Sequence, residues 1–193
     1  MKRFVAFLFI GSCFATVEEF LTIVVLKHDM GGYLFTLLVL FPIFLTLVFL
    51  SSRLINRFIH WEPAQDITYF FVYGFAGLAI EWFLIGLSPW SNPGANPILM
   101  FILQLGIFSF WSTVSFAPRL FLNKSDLNLK IRRSILRFFI PYFVVVYLVC
   151  IAAPEKLKFI TIIPLVIFGY LFLNIFYVKY FRERYLTSPT QDA

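Results

Sequence analysis

Six unbroken apolar stretches constrain this chain more than any other feature. They run roughly over residues 4–26, 33–52, 67–87, 98–117, 135–153 and 159–181. Each is near the ~20 residues a helix needs to cross a ~30 Å hydrocarbon core. Inside lipid the backbone has no water to bond, so a spanning segment must satisfy its own N–H and C=O groups. A helix does this within one segment. Barrel strands would alternate apolar and polar residues, whereas these stretches are continuous. The expected fold is therefore all-α: a polytopic membrane protein with six transmembrane helices, forming one integral domain over residues 1–193.

Composition and punctuation agree with this reading. Of the 193 residues, 61% are hydrophobic and 13% charged, against the ~25% charged of a soluble domain. The joints carry breakers: "KHDMGG", "SPWSNPGANP" and "APEKLK". Pro42, Pro141 and Pro164 fall inside spans and are expected to bend them. Of the 16 Lys and Arg, only Lys27, Lys156 and Lys158 fall on one side of the expected bundle. The positive-inside rule then places both termini in the cytoplasm and explains the +6 charge without any nucleic-acid partner. A plasma or inner membrane is the expected location, with the lipid bilayer as the first partner. At the N-terminus, "MKR" and "IGSC" outline a lipoprotein-type signal. The apolar run continues to Leu26, beyond the ~7–15 residues of a cleaved signal, so an uncleaved helix is expected. Cys13 and Cys150 are expected at depths roughly 10 Å apart, too far for a disulfide, as two buried free thiols.

Glu18, Glu19 and Glu81 are the acids expected inside spans. By ~1.5 Å rise per residue, Glu18 and Glu81 lie about 5–6 Å outward of the midplane, with Gln104 at similar depth. Gly11, Ser12, Ala15, Thr16, Glu18, Glu19 and Thr22 fall on one arc of helix one. Gly74, Gly77 and Glu81 share a face of helix three. Gln104, Phe108, Trp111 and Ser115 share one of helix four, and Tyr170, Asn174 and Tyr177 one of helix six. The simplest bundle encloses a polar interior between helices one, three, four and six and leaves helices two and five peripheral. No Lys, Arg or His occupies the middle of a span, so at least one of the adjacent glutamates is expected to be held as the neutral acid. An intramembrane ionisable residue points to function. The candidate ligand- or proton-binding residues are Glu18, Glu19, Glu81, Gln104, Thr22, Trp111 and Asn174.

Two further patterns bear on function. "VEEFLTI" on helix one aligns with "IEWFLIG" on helix three, matching Glu18 to Glu81, which suggests a duplicated two-helix unit. "VEEFL" also resembles acid-pair motifs of membrane-embedded carotenoid and terpenoid cyclases, over these five residues, with Val17 where a proline often stands. That resemblance implies buried acids acting on an apolar substrate. Elsewhere, "NKSDLNLKIRRSILRFF" is expected to open as an interfacial helix capped by Ser125, with Leu127, Ile131 and Ile135 facing the acyl region. "HWEPAQD" reads as a solvated loop rather than a metal site through His60, Glu62 and Asp66. His28 and Asp29 read as turn residues. No motif names a cofactor, a catalytic nucleophile or a metal centre. Three functions stay open: a small-molecule binding or transport protein using the glutamates for a proton or cation, an intramembrane enzyme acting on a lipid or isoprenoid, and a non-catalytic assembly subunit.

Overall fold

The computed structural model describes residues 2–91, 94 and 96–187. Asn92, Pro93 and Ala95 of the "SPWSNPGANP" loop lie outside these. The chain is 91% helical, and no strand occurs among the described residues. Six helices are long and apolar enough to span a membrane: Lys2–Leu26, Met30–Phe58, Glu62–Ser91, Pro97–Leu122, Asp126–Ala152 and Glu155–Leu186. They are called the first to sixth spans.

Local chemistry sets where they begin. The Asp29 carboxylate accepts from the Gly32 amide at 2.8 Å as the second span starts. Asn96 caps the fourth, accepting from the Ile98 and Leu99 amides at 2.9 and 3.3 Å, with Pro97 following it. Pro suits this position because the first-turn amides have no helical partner to lose. Ser125 caps the fifth through the Asn128 amide at 3.3 Å. His28 and Asp29 act in the tight turn after the first span, where His28 takes a left-handed φ of 54°. The fifth span is one continuous helix from Asp126. Ile131 and Ile135 are buried in the core rather than facing lipid, a correction to the interfacial-helix expectation. One face of that helix must already pack on its neighbours from the first turn.

The fourth span is the central post. Half of its apolar window is buried, against 28% in each other span, and every residue from 109 to 118 is buried. It packs on the first, third and sixth spans, and the sixth packs on the fifth. Lipid offers no hydrophobic drive for such association, so close backbone approach must supply dispersion instead. Glycines permit that approach. A methyl group at Gly77 would overlap Trp111, and one at Gly11 would meet Leu45 Cδ at 2.7 Å and the Val114 carbonyl at 3.0 Å. One at Gly106 would meet Ile167 of the sixth span at 2.7 Å. Side-chain bonds add register. Tyr73 and Ser51 hydroxyls lie 2.7 Å apart between the second and third spans. Tyr142 donates to the Leu165 carbonyl at 2.7 Å between the fifth and sixth.

Two sequence expectations need correcting. Cys13 is exposed on the outside of the bundle, whereas Cys150 is buried; both are free. The second span is not peripheral: Phe41, Phe44, Leu45 and Val48 are buried, and it reaches the cavity described below.

Three spans also change helical form. π-Helical runs occupy Phe20–Leu26, Thr36–Leu40 and Glu81–Ile85. The run in the second span ends two residues before Pro42. A proline there has no amide to bond the carbonyl four residues back, and a widened turn accommodates that loss.

Candidate functional site

The first and third spans change form at their acids. The α-helical part of the first ends at Glu19, and in the third the π-helical run begins at Glu81. Such widened turns recur at functional sites because they redirect side chains out of regular helical register. Glu18, Glu19, Thr22, Ile23 and Leu26 of the first span, with Lys27 just past its end, then line one cavity of about 350 Å³. Thr36 and Leu40 of the second and Glu81, Ile85 and Leu87 of the third join them. The remaining wall comes from the fourth span (Leu103, Gly106, Ile107, Phe110) and the sixth (Phe159, Ile163, Val166, Ile167, Tyr170). The fifth span contributes nothing to it. The polar residues thus enter almost wholly from the first three spans, and the fourth and sixth supply an apolar wall broken only by Tyr170.

Individual positions are held as follows. Glu19 is 9% exposed, and Glu18 and Glu81 are half-buried. Trp111, fully buried, donates its indole N–H to Glu81 Oε1 at 3.1 Å. The Trp ring is itself wedged by Phe41, Phe44 and Phe110, with centroids 5.5, 4.6 and 5.4 Å away. Tyr170 donates to the Phe14 carbonyl at 2.6 Å, tying the sixth span to the first one turn before Glu18. Thr22 donates to the Glu18 carbonyl at 3.0 Å.

Of the residues singled out by sequence, the structure brings Glu18, Glu19, Thr22 and Glu81 to the cavity. Trp111 stands behind it and anchors Glu81. Gln104 does not line it. Its side chain accepts from Trp82 Nε1 at 2.6 Å and donates to the Leu87 carbonyl at 3.0 Å, holding the turn that follows the third span. That turn pivots on Gly86, whose φ of 80° suits a residue without a Cβ. Asn174 also lies elsewhere, donating to Ser109 Oγ at 2.7 Å between the sixth and fourth spans.

Lys27, Thr36 and Tyr170 were not among the expected site residues. Lys27 changes the electrostatic picture, because the acids share their cavity with one ammonium group. The expectation that they have no built-in cation is corrected accordingly. Three carboxyl groups still face a single amine.

A second polar cluster sits at the basic end. Asp66, 4% exposed, accepts from Arg119 Nε at 2.7 Å and from the Tyr180 hydroxyl at 2.8 Å. Arg184 pairs with Glu62 and approaches Asp66 at 3.9 Å. Arg119 also donates to Gln65 Oε1 at 3.3 Å and stands 5.1 Å over the Tyr69 ring. The expected solvated loop is therefore helical from Glu62, and Asp66 is a buried tie between the third, fourth and sixth spans. With donors around it and an opposite charge in contact, this carboxylate is structural. His60 is exposed and takes no part.

Comparison with protein-family models, with curated proteins and with solved structures returned no match.

Proposed function

We propose that this chain binds a small molecule within the membrane and carries it across, with Glu18, Glu19 and Glu81 holding a proton or a cation during the cycle. The observation that carries this reading is the arrival of three carboxyl groups from two spans at one cavity. Bare structural glue does not need a space. Carboxyls that served only to join helices would bond neighbouring groups directly, as Asp66 does, whereas the Glu19 carboxyl accepts no such bond among the described residues. The cavity's volume of about 350 Å³ lies within the ~300–1,000 Å³ of small-molecule sites. Acids facing such a space inside a span are costly unless a proton or a cation neutralises them. With the basic end placed in the cytoplasm by its Lys and Arg excess, the cavity occupies the outer half of the bundle. The α-to-π changes beside Glu19 and Glu81 favour the reading as well, since widened helical turns recur at functional sites.

The test uses the full chain in sealed vesicles containing a pH-sensitive dye. An imposed sodium or potassium gradient should drive proton movement. Glu81→Gln should keep its helical content and melting profile and lose that movement. Undiminished proton movement through a folded Glu81→Gln protein would overturn the reading.

The apolar wall from the fourth and sixth spans supports a second reading, an intramembrane enzyme in which a glutamic acid protonates a lipid or isoprenoid. It predicts conversion of an apolar substrate that Glu18→Gln or Glu19→Gln abolishes, with no dependence on a transmembrane gradient.

A further inference from the structure

We infer that the occupant of the cavity is an amphipathic amine, with a protonated ammonium head against the glutamates and an apolar body against the fourth and sixth spans. This rests on the small-molecule reading above and names its ligand class.

Four observations lead to it. The first is an unanswered acid. Glu19 keeps 9% of its exposure and lines the cavity, yet it accepts no hydrogen bond and forms no ion pair among the described residues. Its carboxyl is left open to the cavity, where a ligand N–H can reach it. The second is the balance of charge. Three carboxyls and one ammonium, that of Lys27, face the space. An ammonium head can replace a carboxyl proton as the neutralising charge of the site, whereas an anionic ligand cannot.

The third is size and spacing. The cavity of about 350 Å³ is roughly ten times the ~30 Å³ share of one water in the liquid. Among the described residues no group of His, Cys, Asp and Glu side chains is arranged to hold a metal ion. The three carboxyls line the space without forming a coordination shell. A bare cation would leave most of the space to water, and water needs two to four polar partners. Ile107, Ile163, Val166 and Ile167 offer none. The fourth is sidedness. Carboxyls stand on the first and third spans, and aliphatic side chains with Phe110 stand across from them on the fourth and sixth. A molecule charged at one end and apolar at the other matches both walls.

The test is isothermal titration of the full chain in lipid nanodiscs with phenethylammonium, its neutral counterpart phenethyl alcohol, and sodium ion. The amine should bind and the alcohol should bind at least ten-fold more weakly. Glu19→Gln should weaken the amine by ~10–100-fold, the range for losing a hydrogen bond to a charged group. Glu62→Gln, at the basic end, should leave it unchanged. Ile163→Phe, which fills the apolar wall without touching a carboxyl, should also weaken the amine and serves if Glu19→Gln does not fold. Equal binding of amine and alcohol would overturn the amine assignment while leaving a small-molecule site. Binding of sodium with no binding of the amine would overturn the assignment and leave the cation reading standing. Binding of no probe, together with absence of gradient-driven proton movement, would overturn both.

Discussion

A single added methyl group at position 77 tests how the site is built. In an unconstrained helix, Gly→Ala stabilises by about 1 kcal/mol, because glycine loses more backbone freedom on folding. Here the new Cβ would clash with Cβ, Cγ and Cδ2 of Trp111. These atoms lie at the root of a large side chain, so rotation about its outer bonds gives no escape. The ring is also hemmed in by Phe41, Phe44 and Phe110. Overpacking of this kind costs about 1–3 kcal/mol. A shifted indole also loses its 3.1 Å bond to Glu81, which adds about 1.5–3 kcal/mol if the acceptor is charged. Gly77→Ala should then lower stability by about 2–5 kcal/mol net, read by denaturant titration in a fixed detergent. A double-mutant cycle of Trp111→Phe with Glu81→Met isolates the hydrogen-bond share, because the ring volume lost at 111 is common to both legs. A Gly77→Ala protein as stable as the parent, or more so, would refute the packing of the third span on the fourth and the placing of Glu81 by Trp111.

Further outcomes follow from other contacts. Arg119→Leu should cost about 3 kcal/mol, the low end for breaking a buried ion pair because Arg184 stays near Asp66, and adding Asp66→Asn should recover part of that loss in a double-mutant cycle by denaturant titration. Gln104→Leu should remove the bonds to Trp82 and Leu87 and speed amide exchange at residues 84–91, read by hydrogen-exchange mass spectrometry. Cys13→Phe, on the outside of the bundle, should leave stability nearly unchanged, whereas Cys150→Phe should overpack the core and cost about 1–3 kcal/mol, both read by denaturant titration in a fixed detergent.

Much of the bundle is written in local pattern. Runs of ~20 apolar residues between Pro, Gly and Asn clusters mark six spans, and a ~100° step per residue puts Glu18, Glu19 and Thr22 on one arc. Depth alone misplaced Gln104: it lies near the level of the acids, but its amide turns toward Trp82 and the Leu87 carbonyl. Asp66 read as solvated because its partners, Arg119 and Tyr180, are 53 and 114 residues away in the chain. No local periodicity reports such a pairing. Lys27 was assigned by its position at a span end. A long side chain can turn back along its helix toward a cavity, so end position does not exclude it. The π-helical runs beside Glu19 and Glu81 carry no residue signature of their own.

Carbodiimide labelling tests the shared cavity most directly, because the reagent modifies protonated carboxyls in apolar surroundings. Peptide mass spectrometry of the full chain should place the adduct on Glu18, Glu19 or Glu81, and phenethylammonium should suppress labelling at all three together. Labelling confined to acids of the loops and ends, or labelling at Glu81 that the amine leaves untouched while protecting Glu19, would contradict it.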